Sequence, residues 1–388
     1  MNILFLNHNI AWTGGFFRAY HWGRHLRKKG HSVTIVTISE RDKLRFTKTT
    51  KDGVLIIKSP DLLQGRLRTG WDPWDTIARL VFLKQARYDI VHCVDTRPNV
   101  VLPGLFLKYK RHAKLVMDWG DWWGRGGTIK ERSVSALETM FAPIETFFEE
   151  RFRRYADGHV VLSEALRQRV IALGAQEETV VRIPHGADIG SVVPRDKLRA
   201  RSRLGIDERR KIIGYLGTIF PADAELLTRA FEIACTQIKD INLFIIGNCR
   251  VKFPDNLVEQ GKIVETGRVD FDTMLDYLAA CDLMVLPLKN SIANRGRWPS
   301  KVCDYLAAGK PVVSTDVSDT SLLFANGSGG GCLTHDTPKD FAEGISKMLQ
   351  SDCLDYHEKK ARAIAEQELS WEILSDRLEG FYETIRRR

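Results

Sequence analysis

The chain has no apolar run approaching the ~18 residues that a membrane-spanning helix needs, so any membrane contact is expected from its surface. It has no CxxC pair. Its seven cysteines, at 93, 235, 249, 281, 303, 332 and 353, stand singly, and several lie in apolar runs such as Val91–Val94. Neither a zinc site nor a disulfide framework is expected, and a reduced, cytoplasmic setting is. The opening MNILFLNHN lacks the basic start and long apolar stretch of a secretory leader. No short-period repeat is present. With 44% hydrophobic and 28% charged residues, the chain is neither collagen-like nor low-complexity. Its 388 residues predict two domains at roughly 150 residues each.

What is present is an uneven charge. The net +9 is confined to the first half: residues 1–190 hold 30 Lys+Arg against 20 Asp+Glu, and the remainder holds 28 against 29. Trp12, Trp22, Trp71, Trp74, Trp119, Trp122 and Trp123 also lie there. A basic, Trp-rich half implies an anionic partner. Basic clusters at Arg24/Arg27/Lys28/Lys29, Arg66/Arg68 and Arg151/Arg153/Arg154, with Trp71 and Trp74 near one of them, permit peripheral contact with an anionic membrane on its inner face. No basic recognition helix or nucleic-acid module is found, so nucleic acid is not an expected partner.

Short apolar runs alternate with segments of helical spacing. Strands are expected at Asn2–Asn7, Ser32–Thr37, Val54–Lys58, Asp89–Val94, Lys114–Trp119, His159–Leu162 and Val180–Ile183. Helices fit between them, at Phe16–Lys29, Thr76–Ala86, Val100–Tyr109, a long Ser133–Tyr155 and a Ser163-capped Glu164–Leu173. His185–Asp207 reads as a linker. The plan then repeats, with strands at Lys211–Gly217, Ile241–Gly247, Ile263–Gly267, Asp282–Pro287 and Pro311–Thr315. Its helices are Asp223–Ile238, Phe271–Cys281, Ser300–Ala308, Pro338–Leu349 and Ser370–Arg388. Strands spaced by helices imply parallel sheets, hence an α/β fold of two doubly wound Rossmann-like domains facing a cleft.

Ligands of such sheets bind at the carboxyl ends of the strands. Gly14-Gly15, after the first strand, reads either as a tight turn or as a backbone cradle for a phosphate or sugar. The segment from Lys289 to Val313 is richer. Arg295, Arg297 and Lys301 surround Ser300, an expected N-cap, and could cradle a diphosphate at the helix start. Asp304, one turn on, suits paired ribose hydroxyls. In the first half, Asp118-Trp119-Gly120-Asp121-Trp122-Trp123-Gly124 follows a strand. Asp118 or Asp121 could orient a hydroxyl, and the tryptophans could stack on a sugar or lie in the core. His8, His185, Asp95 and Arg97 are further candidates.

The pattern Pro299-x-Lys301-x-x-Asp304-Tyr305-x-Ala307-x-Gly309-x-Pro311-Val312-Val313 resembles the donor-site signature of retaining glycosyltransferases of family 4, which have the GT-B fold. Gly14-Gly15-x-x-Arg18, Gly30-His31-x-Val33, Leu162-Ser163-Glu164, Ile183–Asp188, Gly217, Ile246-Gly247, Gly267-Arg268-Val269 and Leu286-Pro287 fit the same family in order. The resemblance implies a metal-independent enzyme with no resident cofactor. It would move a sugar, with retention, from a UDP- or GDP-linked donor to a glycan or lipid-linked acceptor. It implies an acceptor domain at 1–190, a nucleotide-sugar domain at 191–369, and a helix at 370–388 crossing back to the first domain. Donor contacts then fall to Gly14, Gly15, Gly217, Thr218, Gly247, Arg268, Val269, Arg297, Ser300 and Asp304. Acceptor contacts fall to Arg18, Trp119, Trp122 and Trp123, and the catalytic candidates are Asp121, Asp118, Arg295 and Lys301.

Two departures stand out. The family's paired glutamates lie eight positions apart; here Gly296 occupies the first place and Asp304 the second. The Arg and Lys usual after the first strand of the second domain are missing, since that loop reads Thr218-Ile-Phe-Pro-Ala-Asp223. Arg295, Arg297 and Lys301 are expected to replace them. The alternatives are a non-enzymatic nucleotide-sugar binder or partner subunit, and a GT-B nucleotide-sugar epimerase.

Overall fold

The computed structural model describes residues 1–64, 68–131, 136–249 and 251–388. The chain forms two compact units, Met1–Pro184 with Trp371–Arg388, and His185–Ser370. Arg66 and Ser133, named above in a basic cluster and at a helix start, lie outside the described residues.

The strands of the first unit are β1 (Asn2–Ile10), β2 (Ser32–Ile38), β3 (Thr47–Lys51), β4 (Val54–Ser59), β5 (Ile90–Val94), β6 (Lys114–Trp119), β7 (Gly158–Val161) and β8 (Val180–Arg182). They pair in the order β3-β4-β2-β1-β5-β6-β7-β8, parallel except for the β3–β4 hairpin. Alternation along β1 assigns its two faces. Ile3 and Phe5 join Phe16, Trp22 and Leu26 of the helix Phe16–Lys28. Leu4 and Leu6 join Val100, Val101 and Leu107 of the helix Pro98–Arg111.

The first of these faces is completed from the other end of the chain. The helix Trp371–Arg387 buries Trp371, Leu374, Leu378, Phe381, Tyr382 and Ile385 in the same cluster as Ile3 and Phe5. Their three-and-four spacing makes a single apolar stripe. Tyr382 Oη lies 2.6 Å from His92 Nδ1 on β5, and Glu379 Oε1 lies 2.6 Å from His31 Nε2 before β2.

The second unit contains β9 (Lys211–Leu216), β10 (Ile241–Ile246), β11 (Ile263–Gly267), β12 (Leu283–Leu286), β13 (Val312–Thr315) and β14 (Gly331–Thr334). All pairings are parallel, in the order β11-β10-β9-β12-β13-β14. This order reverses between β9 and β12, which opens a crevice at their carboxyl ends. Phe231 of the helix Pro221–Gln237 and Phe341 and Ile345 of the helix Pro338–Leu349 fill the core on one face.

Several elements depart from expectation. The expected linker His185–Asp207 belongs to the second unit and contains the helix Lys197–Leu204. That helix buries Ala200 and Arg201, with Arg201 paired to Asp282 at 2.9 Å, so it carries no apolar stripe to read. β3 is a largely exposed TKTTK edge, and β14 is only four residues long. The helix Leu354–Gln367 buries little more than Ala361, Ile364 and Ala365. The long helix expected over Ser133–Tyr155 is described as Ala136–Arg151 followed by a short 3-10 turn at Arg153–Tyr155. Among the described residues no helix is long and apolar enough to cross a membrane.

The C-terminal stripe predicts its own test. Leu378→Ala, at a fully buried position, should destabilise the protein by about 2–5 kcal/mol. Urea denaturation followed by tryptophan fluorescence measures it. An unchanged midpoint would show that the helix adds nothing to the first core.

Candidate functional site

In the second unit, glycines turn the chain at the carboxyl ends of neighbouring strands. Gly217 follows β9 with φ +78°, and Gly247 follows β10 with φ +109°. A Cβ at Gly247 would stand 3.4 Å from Gly217 Cα, so the two loops meet backbone to backbone. Gly217 N–H donates to Ile246 O at 2.7 Å, and Gly247 N–H donates to Thr266 Oγ1 at 3.1 Å.

Two cations reach this place from the segment after β12. Lys301, at the start of the helix Lys301–Ala307, donates to Thr218 O at 3.0 Å and to Tyr215 Oη. Its Nζ lies 3.7 Å from the Tyr215 ring centroid. Arg297 is buried, with its guanidinium 4.3 Å from the Phe220 ring centroid. Asp223, in the first turn of Pro221–Gln237, accepts from Lys289 N at 2.8 Å and Asn294 Nδ2 at 3.0 Å. The loops after β9 and β12 are thereby locked together.

Electrostatics mark the same groups. Desolvation pushes the Lys301 ammonium down to about 7; the Asp223 carboxylate opposes this and Arg297 adds to it. Desolvation and the neighbouring Asp188 push the Asp304 carboxyl up to about 7. Both groups therefore change charge near neutral pH, which is common where a site receives a charged ligand.

The structure brings together only part of the expected set. Arg297, Lys301, Gly217 and Thr218 converge, and Gly247 adjoins them. Arg295 does not join them: it lies in the last turn of the short helix Ile292–Gly296 and is exposed. Ser300 occupies the N-cap position, but with helical backbone angles (φ −57°, ψ −26°) and no capping hydrogen bond. A serine hydroxyl reaches the N–H groups ahead only from an extended backbone. Arg268 is exposed and Val269 half-buried, just past β11. Tyr215, Phe220 and Asp223 were not singled out in the sequence. Asp223, two residues after Pro221 at a helix start, carried the one usable signal.

In the first unit, the strand order reverses between β1 and β5. Gly14, at φ +50°, leaves room for the Asn9 amide, whose Oδ1 accepts from Gly15 N at 3.0 Å. Asp95, just past β5, has φ +77°, a strained conformation for a non-glycine residue. Its carboxylate lies 3.7 Å from both His8 Nδ1 and Arg97 Nε. Burial, helped by Arg97, pushes the His8 imidazole down to about 3, so it is neutral at physiological pH. Asp95 and Arg97 line a small pocket, of about 20 Å³, with Arg68, Trp71, Trp123 and Glu149. The Arg68 and Arg97 guanidinium carbons lie 4.3 and 5.8 Å from the Trp123 ring centroid.

Glu149, which the sequence did not reveal, organises this loop. Its buried carboxylate accepts from Trp119 Nε1 at 2.9 Å, Trp123 N at 2.9 Å and Gly124 N at 2.6 Å. The expected roles of the segment divide accordingly. Trp123 lines the pocket, Trp122 and Asp121 are half-buried beside it in sequence, and Trp119 is core, with Arg153 3.8 Å from its ring centroid.

Asp118, expected as a catalytic residue, and Arg18, expected as an acceptor contact, form a buried clamp. Asp118 Oδ2 accepts from Arg18 Nε at 2.8 Å, and Arg18 also donates to Ile183 O and Pro184 O, both at 2.7 Å. Neither side chain is open to a ligand. The basic clusters are also largely engaged. Arg153 is buried, Arg27 donates to His31 O at 2.7 Å, Lys29 pairs with Glu379 at 2.5 Å, and Arg68 pairs with Glu145.

Removing the Glu149 carboxylate would orphan three N–H groups at once. Glu149→Ala should therefore cost at least about 2 kcal/mol and shift the tryptophan emission to the red. Unchanged urea midpoint and emission would remove Glu149 from the loop's support.

Comparison with known proteins gives the family. Residues 13–186 match the model of the glycosyl transferase 4-like domain, and residues 210–351 match that of the glycosyl transferases group 1. The D-inositol 3-phosphate glycosyltransferase of Mycolicibacterium vanbaalenii is 24% identical over 245 residues, 58% of this chain and 52% of that protein. The chain thus spans about half the length of such relatives. The sucrose-phosphate synthase of Thermosynechococcus elongatus shares the fold with a TM-score of 0.74, at 15% identity and 99% coverage of both chains. Anabaena HepE, solved in complex with UDP-glucose, shares it at 0.69 and 16% identity, covering 99% of this chain and 100% of that one. The chain belongs to the group 1, family 4-like glycosyltransferases and has their two-domain GT-B fold.

Proposed function

We propose that the protein transfers a sugar from a nucleoside-diphosphate donor to a glycan or lipid-linked acceptor, with retention and without a metal ion or resident cofactor. The observation that carries this reading is the convergence of Arg297 and Lys301 on the loop after β9, where the family's usual cation pair is absent from the sequence. In this reading the two cations and the glycine-bounded loops hold the donor diphosphate, UDP or GDP. They stabilise the negative charge that builds up as the sugar departs. Asp304 meets the ribose hydroxyls, and Arg268 and Val269 lie beside the base.

The acceptor reading rests on the first unit's pocket. Trp123, Arg68 and Arg97 line it, and an aromatic ring flanked by guanidinium groups suits a ring rich in hydroxyls. Asp121 orients the attacking hydroxyl. Among the described residues no group of three or more His, Cys, Asp or Glu side chains could hold a metal ion.

A thermal-shift panel of UDP, GDP and ADP tests the donor site, since a bound nucleotide raises the melting midpoint by mass action. Lys301→Ala should weaken the preferred nucleotide at least about tenfold. The pH dependence has a fixed sign. Lys301 is cationic below about 7 and loses its proton above, so affinity should fall as pH rises from about 7 to 9. Lys301→Ala should flatten that slope; equal slopes would place the diphosphate elsewhere.

Asp121→Asn should lower turnover far more than donor affinity, read as product formed at saturating donor; normal turnover would remove Asp121 from the site. Gly296, where the family carries a glutamate, favours one second reading, a non-enzymatic binder. Nucleotide binding with neither transfer nor hydrolysis over a broad acceptor panel would decide for it. Conversion of the donor sugar without any acceptor would decide for an epimerase.

A further inference from the structure

Asp95 is the first residue past β5, at the strand ends where the sheet order reverses. Its backbone is held at φ +77°, where a side chain is strained, so the surrounding structure imposes this conformation. The two carboxylate oxygens are used differently. Oδ1 accepts from Thr96 N at 2.6 Å. Oδ2 has His8 Nδ1 and Arg97 Nε near it, both at 3.7 Å, beyond the reach of an N–H···O bond. His8 Nδ1 lies instead 3.3 Å from Val94 O, and Arg97 Nη1 donates to Thr69 O at 2.5 Å. No hydrogen bond to Oδ2 forms among the described residues, and the Asp95 side chain is 20% exposed.

The pocket that Asp95 lines has about 20 Å³ of free space, room for a single water-sized group. A hydroxyl oxygen fits there; a phosphate, with three outer oxygens, does not. The charges around it are matched. Arg68 pairs with Glu145, and Arg97 stands beside Asp95. The Glu149 carboxylate is taken up by three N–H donors. Behind the lining, Arg18 holds Asp118, and buried Arg153 faces Glu149, Asp95 and Asp118. Among the described residues each guanidinium here thus has a carboxyl group to balance it. An anionic group entering the pocket would find no surplus cation and would meet the Asp95 carboxylate, a like charge.

We propose that Asp95 selects the acceptor by charge: Oδ2 accepts a hydrogen bond from a hydroxyl of a sugar that bears no negative charge, and a phosphorylated or uronic acceptor is refused. The sugar ring lies against Trp123 while one hydroxyl enters the pocket. A hydroxyl donates to Oδ2 without bringing a second negative charge, which a phosphate or carboxylate cannot do. This hydroxyl is not the attacking one, which the proposed function gives to Asp121. His8 and Arg97 steady the Asp95 carboxylate and leave Oδ2 open. The inference rests on the acceptor reading of this pocket, and not on the donor site.

The full chain is to be titrated with the methyl glycosides of glucose, galactose and mannose, and with the 6-phosphates and uronic acids of the same sugars. Binding is read by saturation-transfer NMR. A methyl glycoside is expected to bind at least about tenfold more tightly than its phosphorylated and uronic counterparts. Asp95→Asn keeps the shape of the side chain and removes its charge. It should bind the glycoside more weakly and narrow that ratio, whereas a merely structural role would weaken all three sugars alike. Asp95→Gly removes the carboxylate at a φ that glycine adopts readily, and should weaken the glycoside at least about tenfold. Far-UV circular dichroism establishes that each variant is folded. Anionic sugars that bind wild type as tightly as the glycosides overturn the proposal. So do glycoside affinities unchanged in both variants, or wild type that binds no glycoside. The thermal shift with nucleoside diphosphates, measured on the same samples, reads the donor site, so its failure counts against the donor reading and not against Asp95.

Discussion

A parallel sheet must be covered on both faces, and the first sheet of this protein obtains part of its cover only from its last helix. Ile3, Phe5, Val116 and Val160 share one cluster with Trp371, Leu374, Leu378 and Phe381. The unit that begins at Met1 is therefore finished by Trp371–Arg388. The strand ends that carry the candidate acceptor pocket depend on a core that closes late in the chain. The Tyr382–His92 contact carries this dependence into β5, whose carboxyl end leads to Asp95 and Arg97.

Buried charges then fix the loops at those strand ends. Arg18 joins the helix after β1 to Asp118 on β6 and to the carbonyls that leave β8. Arg79 reaches Asn7 O and Asn99 O while paired to Asp75, so the ends of β1 and of the helix Pro98–Arg111 share one guanidinium. Glu149 does the same with an acceptor group, holding Trp123 and Gly124. In the second unit Asp223 locks two loops, and Arg201 with Asp282 secures the amino end of β9 through Ile212 N. A buried ion pair is costly to desolvate and strongly destabilising to break, so such groups serve better as clamps than as free reactants.

Much of the fold was legible because apolar periodicity is a local property. β6 and β11, and the helix Pro338–Leu349, fall where their patterns indicate. The elements that escaped, β3, β14 and the helices Lys197–Leu204 and Leu354–Gln367, bury too little apolar surface to leave a pattern. The candidate site was legible in part. Lys301 and Arg297 stood out as cations beside a helix start. Nothing local told them apart from Arg295, because exposure depends on which side of the short helix Ile292–Gly296 faces the core. Glu149 was illegible, since its three partners lie some 25 to 30 residues away in sequence.

The sequence by itself determined the α/β alternation, the family and the glycine positions after β9 and β10. Each depends on residue type and near-neighbour spacing, which the chain states directly. The tertiary structure decided which charges are clamps and which are available, and which tryptophans are core. Those outcomes depend on burial and on partners distant in sequence, and a side chain acquires both only when the sheet it packs against has formed.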